Sequence, residues 1–413
     1  MEERKINILV LTSVYPQPDD ENKDVTPTVK YFCQQWNKAG CNVVVIHSNS
    51  KFPFFLYKIP GFIQKKVSSK MGHAFPSERS REILEYNDEG IKVFRLPIWK
   101  MMPYGKFKKG IIVEQAFRIE KILTDLKFVP DIVLSHWVKP QIELIEELRK
   151  RYPVKYSLVF HGDCTKKNIK TYNLKTAVKN LDAVGCRNER YAKYVQSELG
   201  LNKLPFVCCS GIPDEDAEKQ IIRINEMEFG EKNEFIYVGR LVRYKNIDVI
   251  IKALHKVYGK KHYRLHIVGD GAEKNKLMKL ARKLGMEERV IFYGFLPRKE
   301  TFKIMRKSSC FIMVSNNEVF GMVYLEAMLA GCITIASVDG GADGIIINGE
   351  NGFLSKQGNV DGLVNVLEKI RSMSYDEKVD IRKNAVITAY GYKDSKVAEN
   401  YLNDIMEWKD RNI

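Results

Sequence analysis

The sequence predicts an α/β protein made of two doubly wound, parallel-sheet domains, and three observations predict it. Short β-branched runs alternate with longer amphipathic ones along nearly the whole chain, the pattern of βα units in parallel sheets. The alternation occurs twice, on either side of a polar stretch near 210–233. The length, 413 residues, also exceeds what one hydrophobic core comfortably organises.

In order, the first half offers strands at 6–12, 42–47, 92–96, 131–135, 155–160, 182–186 and 206–209. Between them, 29–39, 111–126, 141–150 and 189–199 repeat apolar residues at helical spacing. Near 210–233 the chain turns acidic and polar around Pro213, which predicts a boundary between domains 1–210 and 211–391. The second half repeats the theme, with strands at 235–238, 264–268, 290–293, 311–314 and 333–336. Its helices are expected at 247–258, 273–284, 299–307, 322–330 and 360–372. A break at Tyr390-Gly391-Tyr392 precedes a final helix within 392–413.

Composition excludes several classes. A hydrophobic share of 45% and a charged share of 29% describe a soluble globular chain. No apolar stretch approaches the roughly 20 residues that span a bilayer. The opening residues run straight into a strand with no cleavable signal, so a cytoplasmic protein is expected, with any membrane contact peripheral on the inner face. The eight cysteines form no C-x-x-C pair and lie mostly in apolar runs, which predicts reduced core thiols and neither disulfides nor zinc. The net charge of +16 is concentrated: residues 1–210 hold 35 Lys and Arg against 22 Asp and Glu. That excess suits either an anionic partner or a solvated basic surface.

Open α/β sheets place ligands beyond the carboxyl ends of their strands, so the residues just after strands matter most. Gly239 allows a tight turn after the strand at 235–238, and Arg240 and Lys245 follow beside a helix start, with Asn246 as an N-cap candidate. Two cations at a helix N-terminus suit a diphosphate and would stabilise it as a leaving group. After 311–314 come Glu318, Phe320 and Gly321, then a helix beginning at Met322 and carrying Glu326 between apolar neighbours. A carboxylate in such a helix needs hydrogen-bond donors, and ribose hydroxyls would serve. Gly340 and Gly341 follow the strand at 333–336 and suit a backbone-lined sugar pocket or a plain turn. In the first half His136 and His161 each follow a strand, as catalytic or as structural hydrogen-bonding residues. Asp214-Glu215-Asp216 matches a D-x-D metal pattern but sits in the expected linker, so it is read as a solvated acidic run and no metal site is expected.

These motifs in register, Gly239-Arg240-Leu241 with Lys245, Gly269-Asp270-Gly271, Glu318 with Phe320-Gly321 and Glu326, then Gly340-Gly341 and Asn351-Gly352-Phe353, resemble the retaining family 4 glycosyltransferases of the GT-B fold, among the glycosyl transferases group 1. The resemblance covers about half the chain. It implies two Rossmann-like domains facing across a cleft, with a tail helix returning to the first. It implies that Arg240 and Lys245 clamp the diphosphate of an NDP-sugar and that Glu326 accepts from ribose hydroxyls. Glu318, with the backbone of Phe320 and Gly321, would contact the transferred sugar, and His161 would approach it from the first domain. Anomeric retention without a bound metal is implied as well. This chain departs from the pattern where Asp343-Gly344 replaces the Pro-Glu common after the paired glycines. It departs again where Tyr15-Pro16 and Thr26-Pro27-Thr28 stand in place of a Gly-rich first loop.

The expected activity is transfer of a sugar from an NDP-sugar to a saccharide or lipid-linked saccharide in surface polysaccharide or glycoconjugate synthesis. A non-hydrolysing sugar-nucleotide epimerase and a silent sugar-nucleotide or membrane-surface binding protein are the alternatives. The segment from Lys51 to Lys70 is aromatic and basic, and that from Lys100 to Lys109 adds Met101, Met102 and further lysines. It reads either as contact with an anionic membrane surface or as loops packing their aromatics on the first domain. No base-reading module is recognisable, so no nucleic-acid partner is expected.

Overall fold

A computed structural model describes residues 4–17, 27–58, 60, 82–102, 106–226, 233–316 and 318–407. The chain divides into two compact units. The first comprises Met1–Arg187, Tyr191–Cys208 and Ala398–Ile413, and the second Asn188–Arg190 and Cys209–Val397.

The first unit is built on eight strands: β1 (Asn7–Thr12), β2 (Asn42–Lys51), β3 (Leu84–Asp88), β4 (Ile91–Trp99), β5 (Ile132–His136), β6 (Lys155–Phe160), β7 (Ala183–Cys186) and β8 (Phe206–Val207). Their order is β3-β4-β2-β1-β5-β6-β7-β8. Neighbours are parallel except β3 and β4, which form an antiparallel edge hairpin. Its two-residue turn is Glu89-Gly90, with φ of 53° and 92°, the left-handed pair that a tight hairpin demands. Central strands are buried on both faces, so their apolar residues run consecutively, as Ile8–Leu11 and Ile132–Leu134 do, without alternating with polar ones. Leu9 and Leu11 face the helices Lys109–Asp125 and Gln141–Leu148 through Ile112, Ala116, Ile119, Leu144 and Leu148. A second cluster joins Leu158, Phe160, Val184 and Cys186 to Ala192, Val195 and Leu199 of the helix Glu189–Leu199. The tail helix Asp394–Glu407 places Tyr401 against Phe32, Trp36 and Phe206, and Trp36 Nε1 donates to Ala398 O at 2.9 Å.

The second unit has six parallel strands: β9 (Glu234–Val238), β10 (Arg264–Val268), β11 (Val290–Gly294), β12 (Cys310–Met313), β13 (Ile333–Ser337) and β14 (Phe353–Ser355). Their order is β11-β10-β9-β12-β13-β14. This is the doubly wound order in which the chain reverses direction of growth between its first and fourth strands, here β9 and β12. One continuous core runs from Ile236 and Leu241 through Ile250, Leu254 and Ile267 to Leu325, Ile335 and Ala385.

Differences from the sequence reading are local. The segment expected to be a polar linker carries the helix Asp214–Ile222, with Pro213 at its N-cap and three acids in its first turn. Only Ala217 and Gln220 of this helix are buried, so it leaves little apolar periodicity to read. Its carboxylates are not simply solvated: Asp214 accepts from Ser395 Oγ at 2.6 Å and Asp216 pairs with Arg298 at 3.0 Å. The helix Tyr375–Tyr390 opens with a capping box, Ser374 and Glu377 satisfying each other's backbone. The basic aromatic segment is partly internal. Lys51 and Lys100 are buried and Phe52 is 2% exposed, so these residues cannot form a membrane-facing surface; Met101, Met102 and Phe54 are exposed. Residues 59, 61–81 and 103–105 lie outside the described residues. Among the described residues no helix is long and apolar enough to cross a membrane. All eight cysteines are free, six of them buried.

Candidate active site

The reversal between β9 and β12 brings two loops together at the carboxyl edge of the six-stranded sheet. Gly239 directly follows β9, and its N–H donates to Val268 O at 2.9 Å, binding this loop to the neighbouring strand β10. Tyr237 Oη donates to Arg240 O at 3.0 Å and fixes the turn that follows. Residues Arg243–Lys245 form one 3₁₀ turn before the helix Ile247–Tyr258. Asn246 occupies the N-cap position but does not cap with its side chain. Its backbone is left-handed (φ 53°, ψ 37°) and its Nδ2 instead donates to Val314 O at 2.8 Å and to Asn316 Oδ1 at 3.0 Å. Asn316 N donates in turn to Tyr244 O at 2.7 Å. The β9 and β12 loops are thus stitched together by backbone and amide groups.

That stitching places the charged groups. The Lys245 ammonium pairs with the Glu318 carboxylate, at side-chain exposures of 11% and 15%. Lys245 Nζ also lies 3.7 Å from Met313 Sδ. Arg240 stays exposed, its Nη2 3.4 Å from Tyr244 Oη. Beyond Glu318, Phe320 is buried and Gly321 takes φ 74° at the N-terminus of the helix Met322–Leu329. A Cβ on Gly321 would stand 2.7 Å from the Tyr324 ring, whose hydroxyl donates to Met313 O at 2.8 Å. Met322 is the first residue of that helix and is partly buried. Helix-start N–H groups there have no intrahelical acceptor.

Gly341 closes the wall behind this loop. A Cβ at position 341 would fall 2.5 Å from Phe320 O and 2.8 Å from Glu318 Cγ, so only glycine lets the two segments touch. A Cβ at position 340 would fall 2.9 Å from Ser337 O. Glu326, one turn along the helix, accepts from Arg298 Nε at 2.6 Å, and Arg298 bridges onward to Asp216. Sequence reasoning missed Arg298. Its signal was Pro297 opening the helix Arg298–Lys307 directly after β11, the strand-end position that drew attention elsewhere. Asp270 accepts from Gly271 N at 2.7 Å and pairs with Lys274, shaping its own βα turn.

His161 belongs to the other unit, just past β6. Its Nε2 is 3.0 Å from Nδ1 of His136, and its ring stacks on Trp137 at 3.9 Å. Burial, with help from Arg187, pushes His136 down to about 3 and His161 well below its ordinary value. Both imidazoles are therefore neutral at physiological pH, one donating and one accepting. Asp163 is held by Val138 N at 2.6 Å and His161 N at 3.1 Å. Among the described residues no group of three or more His, Cys, Asp or Glu side chains could hold a metal ion.

Comparison with known proteins gives these geometries a context. Residues 218–388, which contain every candidate residue except His136 and His161, match the family model described as Glycosyl transferases group 1. A glycosyltransferase of Methanocaldococcus jannaschii is 28% identical over 307 residues, covering 72% of this chain and 80% of that protein. The lipopolysaccharide 1,6-galactosyltransferase of Escherichia coli K12 is 34% identical over 148 residues, 34% of this chain and 40% of that enzyme. The crystal structure of the HepE protein of Anabaena in complex with UDP superposes with a TM-score of 0.66 at 17% identity, covering 97% of this chain and all of that one. The fold is accordingly the GT-B type, two parallel-sheet α/β units in one chain.

Proposed function

We propose that this chain, whose residues 218–388 match the Glycosyl transferases group 1 family model, transfers a sugar from an NDP-sugar to a saccharide or lipid-linked saccharide, with retention at the anomeric carbon and without a metal ion. The observation that carries the reading is the joining of Lys245 and Glu318 at the β9/β12 reversal, beside the glycine-opened helix that bears Glu326. Arg240 and Lys245 take the diphosphate, and their charge meets the negative charge that grows on it as the glycosidic bond breaks. Glu318 then exchanges Lys245 for hydroxyls of the transferred sugar. The backbone of Phe320 and Gly321 adds donors at the helix start, and Gly340 and Gly341 let the chain after β13 pack against Ser337 and against the loop that carries Glu318 and Phe320.

Glu326 keeps acceptor capacity for the ribose diol, since an ionised carboxylate accepts at about four positions and Arg298 holds Oε1. Arg298 is thereby a positioning residue. His161 is neutral and engaged by His136, so no proton transfer is assigned to it. Lys245 does the work usually left to a divalent cation, which is why no metal is needed.

The test is incubation with a panel of NDP-sugars and saccharide acceptors, with and without EDTA, following released NDP and the anomeric signal of the product. NDP release insensitive to EDTA with retained configuration is expected. An isomerised NDP-sugar in place of a transferred sugar would overturn the reading in favour of an epimerase.

A further inference from the structure

The eight-stranded unit has its own reversal point. β1 neighbours both β2 and β5, so the loops after β1 and β5 leave the sheet side by side, and Ser13 Oγ donates to Lys139 O at 2.6 Å across them. Lysines collect at this carboxyl edge. Lys51 ends β2, Lys100 directly follows β4, Lys139 follows β5, and Lys167 stands in the first turn of the helix Lys166–Tyr172 after β6. Lys100 is only 6% exposed, yet among the described residues neither Lys100 nor Lys139 has a carboxylate within ion-pairing distance. Aromatic rings face both ammonium groups: Lys100 Nζ is 4.6 Å from the Phe107 ring centre and Lys139 Nζ is 5.7 Å from that of Tyr172.

We propose that Lys100, Lys139 and Lys167 form an anion subsite that takes the phosphoryl group of a phosphate-bearing acceptor. A buried ammonium without a counter-ion is costly, and like charges beside it raise the cost. Burial and the neighbouring Lys139 and Lys167 together pull Lys100 down to about 8. Lys139 is lowered by burial and by Lys167. The carboxylates nearby do not cancel this charge. Asp163 is spent on two backbone N–H groups. Glu143 is pushed up to about 7 by burial against the pull of Lys106 and Lys100, and its Oε2 has no hydrogen-bond partner. A doubly charged phosphoryl group offers Lys100 and Lys139 the charge-assisted hydrogen bonds that their surroundings lack, with the Lys167 charge adding to the same field. The reversal of an open α/β sheet is where such ligands bind. The excess of basic residues in 1–210 has the same sense.

The phosphate is chemically the same whether a soluble sugar phosphate or a lipid-linked sugar pyrophosphate carries it. Its role as acceptor rests on the glycosyl-transfer reading; the subsite itself does not.

Two arms test it on the full chain. In the first, inorganic pyrophosphate is titrated calorimetrically into Lys245→Ala protein, which removes one of the two cations of the other anion site, with and without Lys100→Met and Lys139→Met. Binding to Lys245→Ala that weakens about tenfold or more in the triple variant is expected. No binding to Lys245→Ala, or equal binding by both proteins, overturns the subsite. Should the triple variant fail to fold, Lys139→Met alone, at a half-buried position, carries the comparison. In the second arm, transfer is measured to a sugar phosphate, to its dephosphorylated form, and to an isoprenoid pyrophosphate-linked sugar in phosphatidylcholine vesicles. A KM about tenfold lower for one phosphate-bearing acceptor, lost on Lys139→Met, is expected and identifies the carrier. Equal KM for all three overturns the acceptor class. Absence of transfer from any donor sinks the glycosyl-transfer reading, while the titration still decides the subsite.

Discussion

The Lys245 ammonium is paired with the Glu318 carboxylate at the junction of the β9 and β12 loops. A diphosphate proposed to bind Lys245 must therefore displace a carboxylate. Glu318→Gln removes that competitor, so free NDP should bind about three- to tenfold more tightly, while turnover falls about 10²-fold or more because a sugar contact is lost. Calorimetry with NDP and initial rates with NDP-sugar measure both. Weaker NDP binding by the glutamine variant would show that Glu318 does not compete. Lys245→Ala should cut turnover about 10²- to 10³-fold with its circular dichroism spectrum unchanged.

Arg298 holds Glu326 at 2.6 Å and Asp216 at 3.0 Å. Arg298→Ala frees the carboxylate to rotate without touching the diphosphate. Donor KM should rise about tenfold with kcat within about threefold. Arg298→Lys should restore only part of this, since one ammonium lacks the planar fork that reaches both acids. A fall in kcat with unchanged KM would place Arg298 in the chemical step.

Gly341→Ala puts a methyl 2.5 Å from Phe320 O and 2.8 Å from Glu318 Cγ. Both neighbours belong to the loop that carries the proposed sugar contacts, so the loop must shift. Activity should fall by about 10² while the melting temperature drops only a few degrees. Wild-type activity in this variant would show that the loop can retreat without consequence for the site.

Acid should unfold the eight-stranded unit first. His47 and His136 are buried, and burial lowers each to about 3 from an ordinary 6.5. A histidine whose folded value is lowered leaves the unfolded chain binding the extra proton. Stability is intact above pH 6.5 and is lost progressively as the pH falls from there towards 3. At pH 5.5 each residue should cost about 1.4 kcal/mol. Urea midpoints measured between pH 7.5 and 5 test this, and His136→Asn should flatten the slope by about one proton. An identical slope in that variant would mean His136 is already charged in the folded state.

The alternation of short apolar runs with amphipathic ones was enough to predict two parallel-sheet units, because strands buried on both faces must be apolar throughout and their crossover helices must be one-sided. Strand-end position was enough to single out Gly239, Lys245, Glu318 and Gly321, because an open sheet exposes its loops at one edge, and Glu326 stood out as a carboxylate between apolar helix neighbours. The edge strand β3, the three-residue strand β14 and the mostly polar helix Asp214–Ile222 were not legible. Each buries too little side chain to leave a period in the sequence. Tertiary structure alone decided that Asn246 reaches the β12 loop rather than its own helix, that Lys245 meets Glu318 and that Arg298 meets Glu326. It also decided that Lys100 is buried beside other lysines rather than displayed to solvent. Local sequence specifies which residue stands at the end of a strand; the partner of its side chain depends on strand order, which brings together loops that are distant in the chain.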